Sequence, residues 1–141
     1  MRKNLTPDEL GDLLELPILA ILATRRKDGR ILTSPVWHEW EDGEFRITTW
    51  ANDIKSKNIQ RDPRITVLVT EQTPPYRSIE VSGEAVIEAL PDHMPMVRRL
   101  ATRYLGADEG PGYAETFREQ QIELIRLAPG VIRAWDFADD H

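Results

Sequence analysis

Hydroxyl and basic side chains are concentrated in residues 48–64, the segment of this chain best suited to chemistry. Thr48 and Thr49 end an alternating strand pattern, and Lys55 and Lys57 follow in the first turn of a short predicted helix. Backbone N–H groups at the start of a helix have no intrahelical acceptor and attract anions. The spacing fits two interpretations, a phosphate-binding turn or a solvated basic helix face.

Dedicated acid–base or metal-binding groups are not evident in the sequence. The three histidines are not spaced as metal ligands, and no carboxylate cluster accompanies them. His38 directly follows Trp37 on a predicted strand, so the two side chains point to opposite faces. There is no Gly-x-Ser-x-Gly motif of a hydrolase. This pattern is typical of a protein whose bound cofactor supplies the chemistry. No metal site is predicted.

Composition narrows the class of protein. A chain of 141 residues with a net charge of −6 predicts a single domain over residues 1–141 and disfavours broad nucleic-acid binding. The absence of cysteine excludes disulfides and thiol nucleophiles and predicts a cytoplasmic protein. No apolar run is long enough to span a membrane, and the basic N-terminus lacks the apolar stretch of a secretory signal.

Apolar alternation and turn residues predict a mainly β protein with inserted helices. Helices are predicted from Thr6 to Pro17, over residues 55–61, from Pro91 to Leu105 and over residues 113–120. Strands at hairpin spacing indicate an antiparallel barrel and not an alternating α/β fold. The predicted strands cover residues 18–24, 31–40, 45–49, 65–70, 79–88, 122–127 and 131–137.

Four segments, taken in order, resemble the split-barrel flavin- and deazaflavin-binding proteins grouped as pyridoxamine 5′-phosphate oxidase-like. They are a hairpin at 21–30, a cofactor-lining strand at 34–37, the turn at 48–64 and a strand at 78–85. The resemblance implies a six- or seven-stranded antiparallel split β-barrel. It also implies a homodimer with two equivalent cofactor sites at the interface.

The resemblance implies that Lys55 contacts the cofactor phosphate, with the hydroxyls of Thr48 and Thr49 as further donors. Lys57 is either a second contact or a solvent-facing side chain, because residues two apart on a helix do not share a face. Trp37 is either a flat wall for the cofactor ring or a core residue. The predicted cofactor-binding residues are Ser34, Pro35, Val36, Trp37, Thr48, Thr49, Lys55, Lys57, Asn58, Tyr76 and Arg77.

By the same resemblance, the protein is an oxidoreductase that transfers a hydride between coenzyme F-420 or FMN and a small organic substrate. Basic residues at the tip of the first hairpin, residues 25–30, suit the oligoglutamate tail of F-420. Vitamin B6 chemistry is disfavoured, because Arg133 and His141 are too far apart to replace the arginine–histidine pair of true pyridoxamine-phosphate oxidases. The alternative is a non-catalytic carrier or sensor of flavin, haem or bilin, with His38 as the first candidate haem ligand.

A homodimer is also predicted from an apolar strand face. Ile79, Val81, Ala85 and Ile87 share one face, and Trp135 and Phe137 add aromatic surface near the end of the chain. These side chains exceed what one small barrel core is expected to need. If they were exposed, they would form an apolar patch that requires a partner.

Overall fold

The computed structural model describes residues 1–138, so His141 lies outside the described residues. Two 3₁₀ turns (Pro7–Leu10 and Leu13–Glu15) precede the barrel. The α-helices are α1 (Ile54–Arg61), α2 (Met94–Leu105) and α3 (Gly110–Glu115). The strands are β1 (Arg2–Lys3), β2 (Ala20–Arg25), β3 (Ile31–Val36), β4 (Glu39–Glu41), β5 (Glu44–Trp50), β6 (Arg64–Thr70), β7 (Ser78–Glu84), β8 (Val86–Ala89), β9 (Ile122–Leu127) and β10 (Val131–Asp136).

The strands form two antiparallel sheets. Two bent strands, β3–β4 and β7–β8, run from the large sheet into the small sheet. The large sheet has the order β1-β10-β7-β6-β2-β3, and the small sheet has the order β4-β5-β9-β8. The chain passes from the large to the small sheet between β3 and β4, and again at Ala85 between β7 and β8. With each bent strand counted once and the two-residue β1 left aside, the described chain has seven strands. The predicted mainly β, split-barrel fold is therefore confirmed.

The predicted continuous strand over residues 31–40 is interrupted at Trp37 and His38. At this bend the backbone N–H of His38 donates to the Tyr104 hydroxyl at 3.0 Å, and Tyr104 lies on α2. A side-chain acceptor therefore satisfies a backbone donor that would otherwise need a neighbouring strand. The bend turns Trp37 toward the helices and His38 toward the barrel interior.

The apolar strand face predicted as a dimer patch is the interior of the barrel, so that prediction is wrong. Ile79 and Val81 have no solvent exposure, and Ala85 is 9% exposed. They pack in the main core together with Leu22 and Phe45, while Ile87 is partly buried against the same core. Two curved sheets enclose a volume that one strand face cannot fill, so the interior requires these side chains.

Two helix predictions need correction. The N-terminal segment forms 3₁₀ turns instead of an α-helix, because Gly11 has a φ of 65° and ends the first turn. The predicted helix over residues 113–120 starts and ends earlier, at Gly110 and Glu115. Turns bonded to the carbonyls of Ala114 and Phe117 continue from there to Gln120. No helix in residues 1–138 is long and apolar enough to cross a bilayer.

Close packing of α3 on α2 depends on Gly110. A Cβ atom at Gly110 would lie 2.5 Å from the Cα atom of Thr102, whereas a Cβ atom at Gly112 meets nothing within 4 Å. We expect Gly110→Ala to lower the free energy of unfolding by about 2–3 kcal/mol through overpacking. Gly112→Ala is the matched control and should be neutral or stabilising by up to about 1 kcal/mol. Urea unfolding measures both, and equal midpoints for the two variants would contradict the prediction.

Candidate cofactor site

A cavity of about 350 Å³ opens between the barrel and the α2–α3 layer, beside the bend that follows β3. Its volume lies within the range of small-molecule pockets. Apolar and aromatic side chains form most of its lining, and Lys55 and Thr49, which both donate to Asp53, form its polar end. The predicted cofactor-binding residues that line it are Pro35, Val36, Trp37, Thr48, Thr49 and Lys55.

Ser34 and Asn58, which were also predicted to bind the cofactor, lie outside the cavity lining. Ser34 pairs with Leu22 across the strands and shares the inward face of that fully buried side chain. Asn58 is buried, donates to the Thr24 hydroxyl at 3.1 Å and accepts from Arg61 at 3.0 Å. The structure therefore uses the Asn58 amide to join α1 to β2.

Lys57, Tyr76 and Arg77 also lie away from the cavity. Lys57 borders a separate surface depression together with Asn58 and Arg61. Tyr76 is exposed, with a φ of 57°. Arg77 donates to both Glu71 oxygens, to Asp12 and to the Leu10 carbonyl. The hydrogen bonds with Glu71, followed by those with Asp12, hold the pKa of the guanidinium above its usual range. In this chain Arg77 fixes the N-terminal 3₁₀ turns against the barrel.

The start of α1 already holds an anion, the carboxylate of Asp53. One Asp53 oxygen accepts the backbone N–H of Ser56 at 2.9 Å, and the other accepts from Thr49 at 2.8 Å and from the Lys55 ammonium at 2.9 Å. Burial raises the pKa of Asp53, but the hydrogen bonds from Ser56, Lys55 and Thr49 together hold it below its usual value.

Asp53 is not among the site residues predicted from the sequence. An aspartate immediately before a helix is a common N-cap, and that signal was available. The Ser56 N–H is therefore satisfied within the chain, which leaves Lys55 as the cation at the polar end of the cavity.

Aromatic rings form one wall of the cavity. Trp37 stacks on Tyr104 with 5.0 Å between ring centroids and an angle of 7° between the planes. Trp50, Tyr113 and Phe117 complete the wall, and the Trp50 indole N–H donates to Gln120. These three residues are not among those predicted from the sequence. Tyr113 and Phe117 follow a glycine-rich loop, where spacing alone does not show that α3 folds back over the barrel.

His38 is fully buried on the opposite side of the bend and does not reach the cavity. The Tyr104 hydroxyl donates to the Ile18 carbonyl at 2.8 Å, and His38 Nδ1 lies 2.9 Å from that hydroxyl. Nδ1 therefore carries the imidazole proton, and Nε2 has no hydrogen-bond partner among the described residues. His38 as a haem ligand is wrong for this cavity, because its ring packs against Phe45 inside the barrel.

Burial of His38 makes folding sensitive to mild acid. Burial, and secondarily the nearby charge of Arg103, lower the pKa of His38 to about 4, whereas Glu39 opposes the shift. In the unfolded chain the His38 imidazole binds a proton near pH 6.5, whereas in the folded chain it binds one only near pH 4. We therefore expect His38 to lower the free energy of unfolding by about 2 kcal/mol between pH 7.5 and pH 5.

Urea unfolding of the wild type and of His38→Gln at both pH values checks this expectation. The variant should lose most of that pH dependence, even if it is less stable at both pH values. An equal loss of stability in the two proteins would contradict the assignment to His38.

The described side chains that line the cavity can bind a ligand, but they offer no histidine or carboxylate for acid–base catalysis. Within residues 1–138 no histidine, aspartate or glutamate lines the cavity. The same residues contain no group of three side chains that could hold a metal ion. The arrangement can accommodate a planar apolar ring against Trp37 and an anionic group near Lys55.

Comparison with known proteins identifies the family. The sequence model described as pyridoxamine 5′-phosphate oxidase matches residues 6–136, which is nearly the whole chain. The chain belongs to this family. No curated protein is significantly similar to it in sequence.

Solved structures agree with the family membership. A conserved hypothetical protein from Mycobacterium tuberculosis is 25% identical, with a TM-score of 0.75 over 94% of this chain and 86% of that one. A protein named as an F-420 reductase is 26% identical, with a TM-score of 0.72 over 90% of this chain and 98% of that one. The haem storage protein of Vibrio cholerae shares the fold at 14% identity, with a TM-score of 0.67 over 89% of this chain and 92% of that one.

Proposed function

We propose that this protein is an oxidoreductase that binds a flavin-type cofactor, coenzyme F-420 or FMN, in the cavity between the barrel and α2–α3. The observation that carries the proposal is the composition of the cavity lining. Flat aromatic rings, with Trp37 among them, line the same cavity as the Lys55 ammonium. A phosphorylated flavin or deazaflavin combines the two matching features, a flat ring and an anion. The 26% identity to an F-420 reductase supports the proposal.

Each part of the lining has a definite task. Lys55 neutralises the phosphate, and its side chain is only 18% exposed, which reduces screening of its charge by water. Trp37, held by its stack on Tyr104, orients the ring. Apolar residues such as Val97 and Leu100 from α2 exclude water from the ring. The bound cofactor supplies the hydride chemistry.

The substrate class follows from what the cavity lacks. Because no carboxylate or imidazole of residues 1–138 lines it, the substrate must be one whose anion, formed when it accepts a hydride, can take its proton from solvent afterwards. Planar, apolar acceptors such as quinones and enones meet this requirement, because the negative charge formed on them is delocalised onto oxygen. The aromatic side chains of Trp50, Tyr113 and Phe117 offer flat surface for them.

The deazaflavin is favoured over FMN by a second, basic depression beside α1. Arg26, Lys27, Lys57 and Arg61 border it, next to the turn between β2 and β3. The carboxylate on its rim, Asp28, forms an ion pair 3.1 Å long with Arg30, outside the depression. In a protein of net charge −6, such a local excess of cations suits a polyanion like the oligoglutamate tail of F-420.

We also propose that the protein forms a homodimer through the outer face of its large sheet. Ile21, Pro35 and Leu68 lie side by side on this face in neighbouring strands, opposite the buried core residues. Pro35 is exposed, Ile21 and Leu68 are partly exposed, and Pro35 also belongs to the cavity lining. A partner on this face would therefore border the cofactor, as the resemblance implies. The total buried area should exceed roughly 2,000 Å².

Light scattering should show a dimer at micromolar concentration. Leu68→Glu should shift the protein toward monomers, because it places a charge at the centre of the proposed interface. Val86→Glu is the control, since Val86 is 54% exposed on β8 in the small sheet. A monomeric wild type, or a dimer unaffected by Leu68→Glu, would contradict the proposed interface.

A flavin carrier on the same fold is the second candidate. It is favoured by the lack of histidine and carboxylate side chains in the cavity lining of residues 1–138. The two candidates predict the same binding residues but different behaviour of the loaded protein. A carrier protects its cofactor from reaction, whereas an oxidoreductase passes a hydride to an acceptor.

The experiment that tests the proposal starts with titration of purified apoprotein with FMN and with F-420, followed by fluorescence. Single-turnover reoxidation of the bound, reduced cofactor by a quinone or an enone then follows. Binding with fast reoxidation supports the oxidoreductase, and binding without reoxidation by any acceptor supports the carrier. Failure to bind either cofactor overturns both candidates.

A further inference from the structure

Asp53 occupies the position in which a ligand anion would find its best donors. Its carboxylate accepts three hydrogen bonds, from the Ser56 N–H, the Thr49 hydroxyl and the Lys55 ammonium, at 2.8–2.9 Å. Thr49 and Lys55 are also lining residues of the cavity. The donors that suit a cofactor phosphate are therefore already shared with a carboxylate of the same chain.

This arrangement works against a second anion. A phosphate that approaches Lys55 meets a carboxylate within hydrogen-bond distance of the same ammonium, and like charges so close repel each other. Asp53 retains the Ser56 N–H as the helix cap, so its charge stays at the polar end of the cavity. The aromatic rings of the lining, with Trp37 among them, carry no charge, so their contacts with a flavin ring are not subject to this competition.

We propose that Asp53 is a specificity-determining residue that weakens the binding of phosphate-bearing ligands by competing with them for Lys55 and Thr49. This inference rests on the proposed function and deepens it. A cofactor held by its ring, with its phosphate opposed by Asp53, exchanges readily with solution.

Asp53→Asn separates the charge of Asp53 from its role as helix cap. The asparagine side-chain oxygen still accepts the Ser56 N–H, and asparagine is as good an N-cap as aspartate. FMN and riboflavin are suitable probes, because they share a ring system and differ in the phosphate. We expect Asp53→Asn to lower the dissociation constant of FMN about 5- to 10-fold at low salt. Riboflavin affinity should change less than about 2-fold, and the gain for FMN should shrink in about 1 M NaCl.

Asp62→Asn is the matched control, because Asp62 lies at the other end of α1 and pairs with Arg64 at 2.8 Å, away from the cavity. It should alter neither dissociation constant. FMN affinity that is unchanged or weaker in Asp53→Asn, or an equal gain for both ligands, would overturn the role of Asp53 and leave the proposed function standing. A wild type that binds no flavin would overturn both.

Discussion

Replacing Lys55 by methionine should weaken FMN binding about 10- to 100-fold, which corresponds to the roughly 1.5–3 kcal/mol of a charge-assisted hydrogen bond. Lys55 is the cation of the cavity lining and is largely shielded from water. Methionine keeps the apolar stem of the side chain and removes the charge. Riboflavin, which lacks the phosphate, should bind the variant about as well as the wild type. Fluorescence titration with both ligands gives the comparison.

Lys57→Met is the matched control for Lys55→Met. The two lysines lie in the same turn of α1, but Lys57 faces the basic depression instead of the cavity. FMN has no oligoglutamate tail, so its affinity for Lys57→Met should stay within about 2-fold of wild type. Folding stability should change little in either variant, because Asp53 keeps its hydrogen bonds from Thr49 and Ser56. Equal FMN affinities for the Lys55 variant and the wild type would contradict the phosphate assignment.

Replacing Trp37 by leucine should slow single-turnover reoxidation of the bound, reduced cofactor about 100-fold and weaken its binding. Trp37 forms the aromatic wall of the cavity and is aligned by its stack on Tyr104. A ring that loses this wall is misplaced relative to the substrate, and small misplacements at a reacting centre cost large factors in rate. Trp37→Phe keeps an aromatic face and should stay within about 5-fold of wild type.

The neighbouring His38 provides the contrast. Its side chain lies inside the barrel, so His38→Gln should change the reoxidation rate far less than the ~10²–10⁴-fold that accompanies loss of a general acid or base. Rates are compared at neutral pH, where both proteins are folded, with circular dichroism as the control for folding. A rate lost in His38→Gln and retained in Trp37→Leu would show that the roles of the two residues are reversed.

Features that depend on local sequence were predictable. The hairpin turns at residues 27–29 and 41–43 and the alternation of β5 and β6 lie close to their predicted positions. Period-two burial and glycine at turns are properties of a few adjacent residues. The same locality explains why Lys55, Thr48 and Thr49 could be named, since the two threonines lie near the end of β5 and the lysine lies in the first turn of α1.

Features that depend on distant segments were not predictable in the same way. The face of β7 that carries Ile79 and Val81 looks equally suited to a core or to an interface, and only closure of the two sheets makes it interior. The bend after β3 likewise requires the hydroxyl of Tyr104, 66 residues further along the chain. Alternation reveals that a strand has two different faces, but not which surface each face meets.

The sequence by itself therefore determined the fold class, the family and the polar end of the candidate site, because each is encoded in short, ordered motifs. Only the tertiary structure decided that Asp53 already pairs with Lys55, and that α3 and the turn after it bring Tyr113 and Phe117 into the cavity lining. It also decided that His38 lies among core side chains and not in the cavity lining. The physical reason is that burial and charge pairing depend on which segments meet in space, and periodicity along the chain does not contain that information.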